Sequence, residues 1–261
     1  MEEFRAIAVS PHHQIRLARE YLPMIDRAPA TDFVVHVIEQ RQANNAPLMS
    51  AEIVIAGAQT RERYPLAKTY PLHFRKTYFA ARLHGDPRVE HEHAQRASEL
   101  AQLPPPIGAT YDQIRTCFIP GRPYRLHSPF EANEEVANLR RVRDVPVATA
   151  AGLWHLLEAA YHLLRTLHAG GLSHGDAQLQ NFIVSTAPLE VVLVDFEAAK
   201  TREQVDDEAS WNSRCATDLM PVLQEALLLQ ASLGRQAGQM ADHALAQAPT
   251  LFKDAARVTR Y

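Results

Sequence analysis

A long apolar helix that leads through a polar loop into a short hairpin is the feature that most constrains this fold. LWHLLEAAYHLLRTLHAGG (153–171) has apolar residues at helical spacing, and its final Gly170–Gly171 pair is typical of a helix C-terminus. The segment NFIVSTAPLEVVLVDF (181–196) follows and predicts two strands, with Pro188 in the turn between them. The polar loop 174–181 joins these two elements, so we expect it to be fixed at both ends.

Three side chains with oxygen ligands stand at fixed spacing in this segment. Asp176 lies five residues before Asn181, and Asp195 follows Asn181 by fourteen residues at the exit of the hairpin. Asn181 and Asp195 can converge on one hard cation, and Mg²⁺ suits such a sparse set because nucleotide phosphates and water complete its coordination. Asp176 is then free to orient an attacking hydroxyl or to accept its proton. The spacing therefore predicts a magnesium site with a nearby carboxylate that can act on a hydroxyl.

The same residues resemble the protein-kinase-like superfamily over roughly residues 31–230. HGDAQLQN is similar to the catalytic loop in the HGD form of atypical and small-molecule kinases, and VDFEAAK to the metal-binding DFG position, with Glu197 in place of the glycine. The resemblance implies Asp176 as catalytic base, Asn181 and Asp195 as Mg²⁺ ligands, and ATP as phosphoryl donor. The compact plan is similar to RIO-type kinases, the small kinase of the threonylcarbamoyl-adenosine tRNA-modification complex and bacterial lipopolysaccharide-core sugar kinases.

The order of elements predicts an α+β chain with two lobes. β-Branched segments dominate the first half of the chain, and helical patterns dominate the second half. Pro120–Gly121 lies between the halves and indicates a turn that serves as a hinge. The predicted elements before the hinge are strands at 33–40, 51–58 and 64–70, a helix at 87–102 and a strand pair at 107–119. We expect a kinase-like fold with a small β-rich N-lobe and a mainly helical C-lobe that carries the short catalytic hairpin. The predicted boundaries are a helical N-terminal extension (1–30), the N-lobe (31–120) and the C-lobe (121–261).

The resemblance also implies a lysine that binds the ATP phosphates. The sequence has four lysines, and only Lys68 and Lys76 precede the hinge. Lys68 is the favoured residue because PLAKTY alternates like a strand, and Lys76 in HFRKTYF is the alternative. The family pairs this lysine with a helix glutamate. Glu92 is the best match, with Glu90 and Glu99 as competitors.

Several positions depart from the common kinase pattern. RQANNAPLMSA (41–51) lies between the first two predicted strands and has no glycine, so backbone amides there approach phosphates less freely. Gly175 replaces the arginine that regulated kinases use to bind an activation-loop phosphate. Only 23 residues separate Asp195 from Asp218, which leaves no room for a long activation segment. Asp218 resembles the helix aspartate that braces the catalytic-loop backbone in this superfamily.

Composition excludes several other classes. Hydrophobic residues make up 46% and charged residues 22%, as in an ordinary globular chain. A net charge of −3 gives no overall positive field for nucleic acid or an anionic membrane. The two cysteines are far apart in the sequence and suggest neither zinc nor a disulfide framework. The acidic N-terminus and the lack of a long apolar run lead us to expect a cytoplasmic protein without a membrane span.

We therefore expect an ATP-dependent phosphotransferase that moves the γ-phosphoryl group, with Mg²⁺, to a hydroxyl of a protein, sugar or small-molecule acceptor. The alternative is a nucleotide-binding pseudokinase or ATPase switch that acts within a partner complex, because the glycine loop is missing. The destination of the phosphate, acceptor or water, separates the two hypotheses.

Overall fold

The computed structural model describes residues 29–43, 46–79, 86–119, 121–124, 150–186 and 189–236. The predicted N-terminal extension lies outside the described residues up to residue 28, and so do Asn44, Asn45, Pro120 and Pro188. The chain separates into two compact units. The first contains the described residues up to Arg122 together with Asp195–Ala199, and the second contains Pro123–Val194 and the described residues from Lys200 onward.

The first unit is a five-stranded antiparallel sheet in the order β1-β2-β3-β5-β4. Its strands are β1 (Phe33–Ala43), β2 (Ala46–Ile55), β3 (Leu72–Tyr78), β4 (Pro106–Ala109) and β5 (Gln113–Cys117). Its helices are α1 (Ala58–Arg63), α2 (Leu66–Thr69) and α3 (Pro87–Ala101). The longest of them, α3, packs against β4, β5 and the 3₁₀ turn Phe196–Ala198. The predicted helix at 87–102 and strand pair at 107–119 are confirmed.

The register puts β3 in the middle of this sheet. Lys76 of β3 lies opposite Ala51 of β2 on one side and Ile114 of β5 on the other. Ala51 and Ile114 belong to a buried cluster with Met49 and Tyr78. Lys76 is therefore a charged residue on a central strand, with an apolar residue opposite it on each adjacent strand.

The opposite face of β3 carries a separate network of ion pairs. Arg75 bonds to Glu52 through Nε and Nη2 and reaches Asp32 with 3.2 Å between Nη1 and Oδ2. Asp32 also pairs with Arg115 of β5 at 2.7 Å, and Arg115 contacts the ring of the fully buried His73. Polar side chains thus lie on both faces of β3, so its sequence lacks the alternation of apolar and polar residues that predicts a half-buried strand.

The prediction of a strand at 64–70 was wrong. Helix α2 occupies the middle of this segment, with backbone bonds from Lys68 to Pro65 and from Tyr70 to Leu66. Proline has a fixed φ and no N–H, so Pro65 fits the start of a helical turn. Its φ is −55°, and Ala67 on the same turn is fully buried. Alternation over seven residues therefore gave the wrong element, and the strand begins only at Leu72.

The described residues of the second unit form two helices and a hairpin. Its elements are α4 (Ala150–Ala169), β7 (Leu172–Ser173), β8 (Phe182–Thr186), β9 (Leu189–Leu193), β10 (Lys200–Thr201) and α5 (Glu208–Gln236), while β6 (Arg122–Pro123) spans the boundary between the units. Helix α4 packs against α5, β7 and β9. Gly171 ends α4 with a φ of 74°, the left-handed conformation that favours glycine. The predicted helix, glycine end and hairpin are confirmed.

Among the described residues, no helix is both long enough and apolar enough to cross a membrane.

Candidate functional site

The first unit gathers charged side chains around Lys76. Successive side chains of a strand point to opposite faces, so Phe74, Lys76 and Tyr78 share one face of β3. Lys76 Nζ lies 2.8 Å from Asp195 Oδ1, 2.5 Å from Glu197 Oε2 and 3.7 Å from Glu90 Oε2. A single ammonium group therefore meets three carboxylates.

Tyr78 links two of these carboxylates. Its hydroxyl lies 3.1 Å from Glu90 Oε2 and 2.6 Å from Glu197 Oε2. The Lys76 ammonium also lies over the Tyr78 ring, 5.0 Å from its centroid, in cation–π geometry. The aromatic residue two positions along the strand is thus part of the same cluster.

Burial and charge shift the pKa values in this cluster in ways that have clear causes. Burial lowers the pKa of Lys76, but the negative charges of Glu90, Asp195 and Glu197 raise it by more, and the net pKa is above the ordinary value. Lys76 therefore remains an ammonium ion throughout the neutral range.

The pKa of Glu90 is also raised, into the neutral range. Burial raises its pKa and Lys76 lowers it, while Asp195 and Glu197 raise it again, so that the pKa of Glu90 is about 7. The pKa of Tyr78 is also raised, first by burial and then by the charge of Glu90. Glu90 therefore changes its protonation state near neutral pH, whereas Tyr78 keeps its proton and can donate to a carboxylate.

Two residues favoured from the sequence lie outside this cluster. Lys68 is exposed on α2, and Glu92 is exposed on α3. Their competitors Lys76 and Glu90 are both buried and form the ion pair. The structure therefore brings Lys76 and Glu90 together, whereas the favoured Lys68 and Glu92 are exposed. Which lysine binds the phosphates stays a prediction.

The helix pattern contains the signal that identifies Glu90. The buried face of α3 includes Glu90, Ala94 and Ala97, at spacings of four and three residues. These are the spacings of one helix face. Glu92 lies about 160° around the helix from Glu90 and from Ala94, and it is exposed to solvent. Tyr78 and Glu197 were also missed as site residues, since only their contacts in the folded chain identify them.

In the second unit, Asp218 braces the catalytic-loop sequence as the resemblance predicted. Its Oδ2 accepts the backbone N–H of His174 and its Oδ1 accepts that of Gly175, each at 2.7 Å. His168 Nε2 lies 3.0 Å from the same Oδ2. Asp218 is completely buried, and the φ of Gly175 is 83°. One carboxylate therefore holds two successive amides of a loop whose turn favours glycine.

The loop continues through His174 to the two predicted catalytic residues. His174 Nε2 lies 3.0 Å from the carbonyl of Val194, and its Nδ1 accepts the N–H of Asp176 at 3.3 Å. This pair of contacts fits a neutral ring with the proton on Nε2. Asn181 Nδ2 donates to the main-chain carbonyl of Asp176 at 2.8 Å and to its Oδ2 at 3.3 Å. Asn181 is buried, while the Asp176 carboxylate is exposed.

Both units contain side-chain oxygen atoms that suit a hard cation such as Mg²⁺ as ligands. In the first unit, carboxylate oxygens of Glu90, Asp195 and Glu197 lie within 4.8 Å of one another. In the second unit, both hydrogen bonds that the Asn181 side chain makes within the described part of the chain start from Nδ2. The Oδ1 atom of Asn181 is thus the one suited to a metal. The predicted ligand pair consists of Asp195 from the first unit and Asn181 from the second.

No family model and no curated protein matches the sequence. Among solved structures, the chain is similar to the Cydia pomonella granulovirus kinase PK-1, with 9% sequence identity and a TM-score of 0.41. The alignment covers 72% of this chain and 60% of the viral kinase, so the chain spans less than two thirds of that neighbour. At this level of similarity the neighbour does not identify the function of this chain.

Proposed function

We propose that this protein is an atypical, kinase-like phosphotransferase that moves the γ-phosphoryl group of ATP to a hydroxyl of a protein, sugar or small-molecule acceptor. The observation that carries the proposal is the buried ammonium of Lys76, held on a central strand by Glu90 and Asp195. Burial of charges has a large desolvation cost, so such a cluster points to a functional need for charge at this position.

Three residues of the first unit have a role in this proposal. Lys76 binds the phosphates as a point charge, and Glu90 positions the ammonium from α3. Asp195 supplies one carboxylate ligand for Mg²⁺, and Asn181 Oδ1 supplies a second oxygen. When bound, Mg²⁺ neutralises charge on the phosphate oxygens.

The role of Asp176 follows from the exposure of its carboxylate and from the hydrogen bonds that hold its loop. Its carboxylate accepts the proton of the acceptor hydroxyl as that oxygen bonds to the γ-phosphorus. The bond from the γ-phosphorus to the β–γ bridging oxygen breaks, and ADP leaves with the bonding electrons. Asp218 and Asn181 keep the loop in place during this step through their bonds to its backbone. Catalysis of this kind is mostly positioning and charge stabilisation.

One observation favours a second candidate, a nucleotide-binding pseudokinase or ATPase switch within a partner complex. Glu197 places a third carboxylate 2.5 Å from the Lys76 ammonium. A negative charge at this point opposes phosphate binding. In this second proposal the nucleotide is held or hydrolysed, and no acceptor is phosphorylated.

Thermal unfolding with ATP tests the proposal without knowledge of the acceptor. At a concentration 100-fold above Kd, ATP should add about 2.7 kcal/mol to the unfolding free energy, which raises the midpoint by several degrees. The shift should require Mg²⁺ and should be lost in Asp195→Asn, whereas the exposed Asp206→Asn serves as the matched control. The absence of any shift at saturating ATP would contradict the proposal.

A second measurement separates the two candidate functions. Wild-type protein is supplied with ATP labelled at the γ-phosphate and a panel of hydroxyl-bearing acceptors. Label on an acceptor supports the phosphotransferase. Label found only as free phosphate, or retained on ATP despite binding, favours the switch.

A further inference from the structure

Four side chains of its own unit lie close to the Lys76 ammonium. A lysine ammonium has three N–H donors. Asp195 and Glu197 lie within hydrogen-bond distance, Glu90 completes the set at 3.7 Å, and the Tyr78 ring covers another side. A phosphate oxygen can reach this ammonium only after one of these groups moves.

The three carboxylates differ in exposure. The side chain of Glu90 is 7% exposed, whereas those of Asp195 and Glu197 are 38% and 35% exposed, and that of Lys76 only 8%. Glu90 therefore forms the inner side of the cluster, and the two others lie between the ammonium and solvent. A ligand that arrives from solvent meets Asp195 or Glu197 first.

We propose that Glu197 is an internal competitor for the phosphate on Lys76, so that its side chain must swing away before a nucleotide triphosphate binds. This inference rests on the proposed nucleotide site. It assigns to Glu197 the control of nucleotide affinity, and to the Tyr78 hydroxyl the task of holding Glu197 in its blocking position.

Glu197 is the group whose departure leaves its neighbours satisfied. When it moves, Lys76 keeps Asp195 and Glu90, and the Tyr78 hydroxyl keeps Glu90 at 3.1 Å. Its partly exposed carboxylate returns to water, so its separation from Lys76 leaves no buried charge without a partner. Departure also removes one of three negative charges that would repel the phosphates.

Titration calorimetry with three probes tests this role. The probes are ATP, inorganic tripolyphosphate and adenosine, each with Mg²⁺ present. Glu197→Gln removes the charge, Glu197→Ala removes the side chain, and Glu62→Gln on the exposed part of α1 is the control for net charge. We expect both Glu197 variants to bind ATP and tripolyphosphate about tenfold or more tightly than wild type, because one repulsive charge is gone. Adenosine affinity should stay the same.

The outcomes separate this inference from the proposed function. If wild type and the Glu197 variants bind ATP equally well, the competitor role is wrong and the nucleotide site remains. If none of them binds ATP or tripolyphosphate, both the inference and the proposed function are overturned. Tighter binding of adenosine as well would also contradict the inference, since a general change of structure, rather than release of Lys76, would explain it.

A Tyr78→Phe variant gives an independent check. Loss of the hydroxyl removes its contacts with Glu197 and Glu90 but leaves the aromatic ring and every charge of the cluster. We expect ATP and tripolyphosphate to bind more tightly than in wild type, but less tightly than in Glu197→Ala, and adenosine to bind equally. Unchanged tripolyphosphate affinity would overturn the holding role of Tyr78.

Discussion

Lys76 on β3 and Glu90 on α3 form a buried ion pair, with 3.7 Å between Nζ and Oε2. The pair connects a central strand of the sheet to the helix that packs beside it. Glu90 belongs to the first turn of α3, next to Pro87 on the buried face. Stability of the unit and the charge of the proposed nucleotide site therefore depend on the same two residues.

Glu90→Gln should change how stability depends on pH. The pKa of Glu90 is about 7 in the folded protein because burial and two neighbouring carboxylates outweigh Lys76, and its ordinary value is 4.5. The folded protein thus retains a proton that the unfolded chain releases. The stability contributed by this group is full below the ordinary pKa and is lost as pH rises through about 7.

The measurement is the unfolding free energy in urea at about pH 5 and about pH 8, where Glu90 is mostly protonated and mostly ionised. The unfolding free energy of Glu90→Gln relative to that of wild type should be higher at about pH 8 than at about pH 5. Glu92→Gln, exposed on the same helix, is the matched control and should show a constant difference from wild type. An equal difference at both pH values for Glu90→Gln would refute the assignment.

Lys76→Met should destabilise the first unit, and Lys68→Met should not. Methionine keeps most of the length of the side chain but leaves the three carboxylates without their cation, at a cost of about 3 kcal/mol or more. Lys68 is exposed on α2, and its replacement should change the unfolding free energy by less than about 0.5 kcal/mol. Urea titrations of both variants compare the two candidates directly, and similar losses of stability would contradict the structure.

The helix, loop and hairpin of the second unit could be predicted because their signals are local. Glycines 170 and 171 end a helix, and the spacing from Asp176 to Asn181 lies within one loop. The bracing role of Asp218 could also be predicted, although it bonds to residues more than forty positions away. There the resemblance supplied the long-range pairing that spacing alone does not contain.

The charged cluster of the first unit could be predicted only in part. The sequence favoured Lys68 over Lys76 because seven residues around Lys68 alternate like a strand. It favoured Glu92 over Glu90, although the spacing of Glu90 from Ala94 and Ala97 marks the buried face of α3. The contacts of Lys76 and Tyr78 with Glu197 join residues that are 121 and 119 positions apart in the sequence. Such contacts depend on tertiary packing, and neither strand nor helix periodicity encodes them.

Asp218→Asn should loosen the loop that carries Asp176. An asparagine amide can place only one oxygen toward the N–H groups of His174 and Gly175, so one buried donor loses its partner at a cost of about 1–3 kcal/mol. Amide hydrogen exchange at these two residues should become faster, and phosphoryl transfer should fall with it. The exposed Asp206→Asn controls for the substitution. Unchanged exchange at both amides would show that Asp218 does not hold them in solution.

Asp176→Asn should remove phosphoryl transfer while it leaves the fold and ATP binding intact. The carboxylate is exposed, and the stronger of the two Asn181 bonds goes to the main-chain carbonyl of Asp176, which the substitution retains. We therefore expect a change in unfolding free energy within about 0.5 kcal/mol. Loss of a general base should reduce the transfer rate by about 10²- to 10⁴-fold. Because ATP contacts in the proposal come from other residues, the Kd for ATP should match wild type, and a wild-type transfer rate would show that Asp176 is not the base.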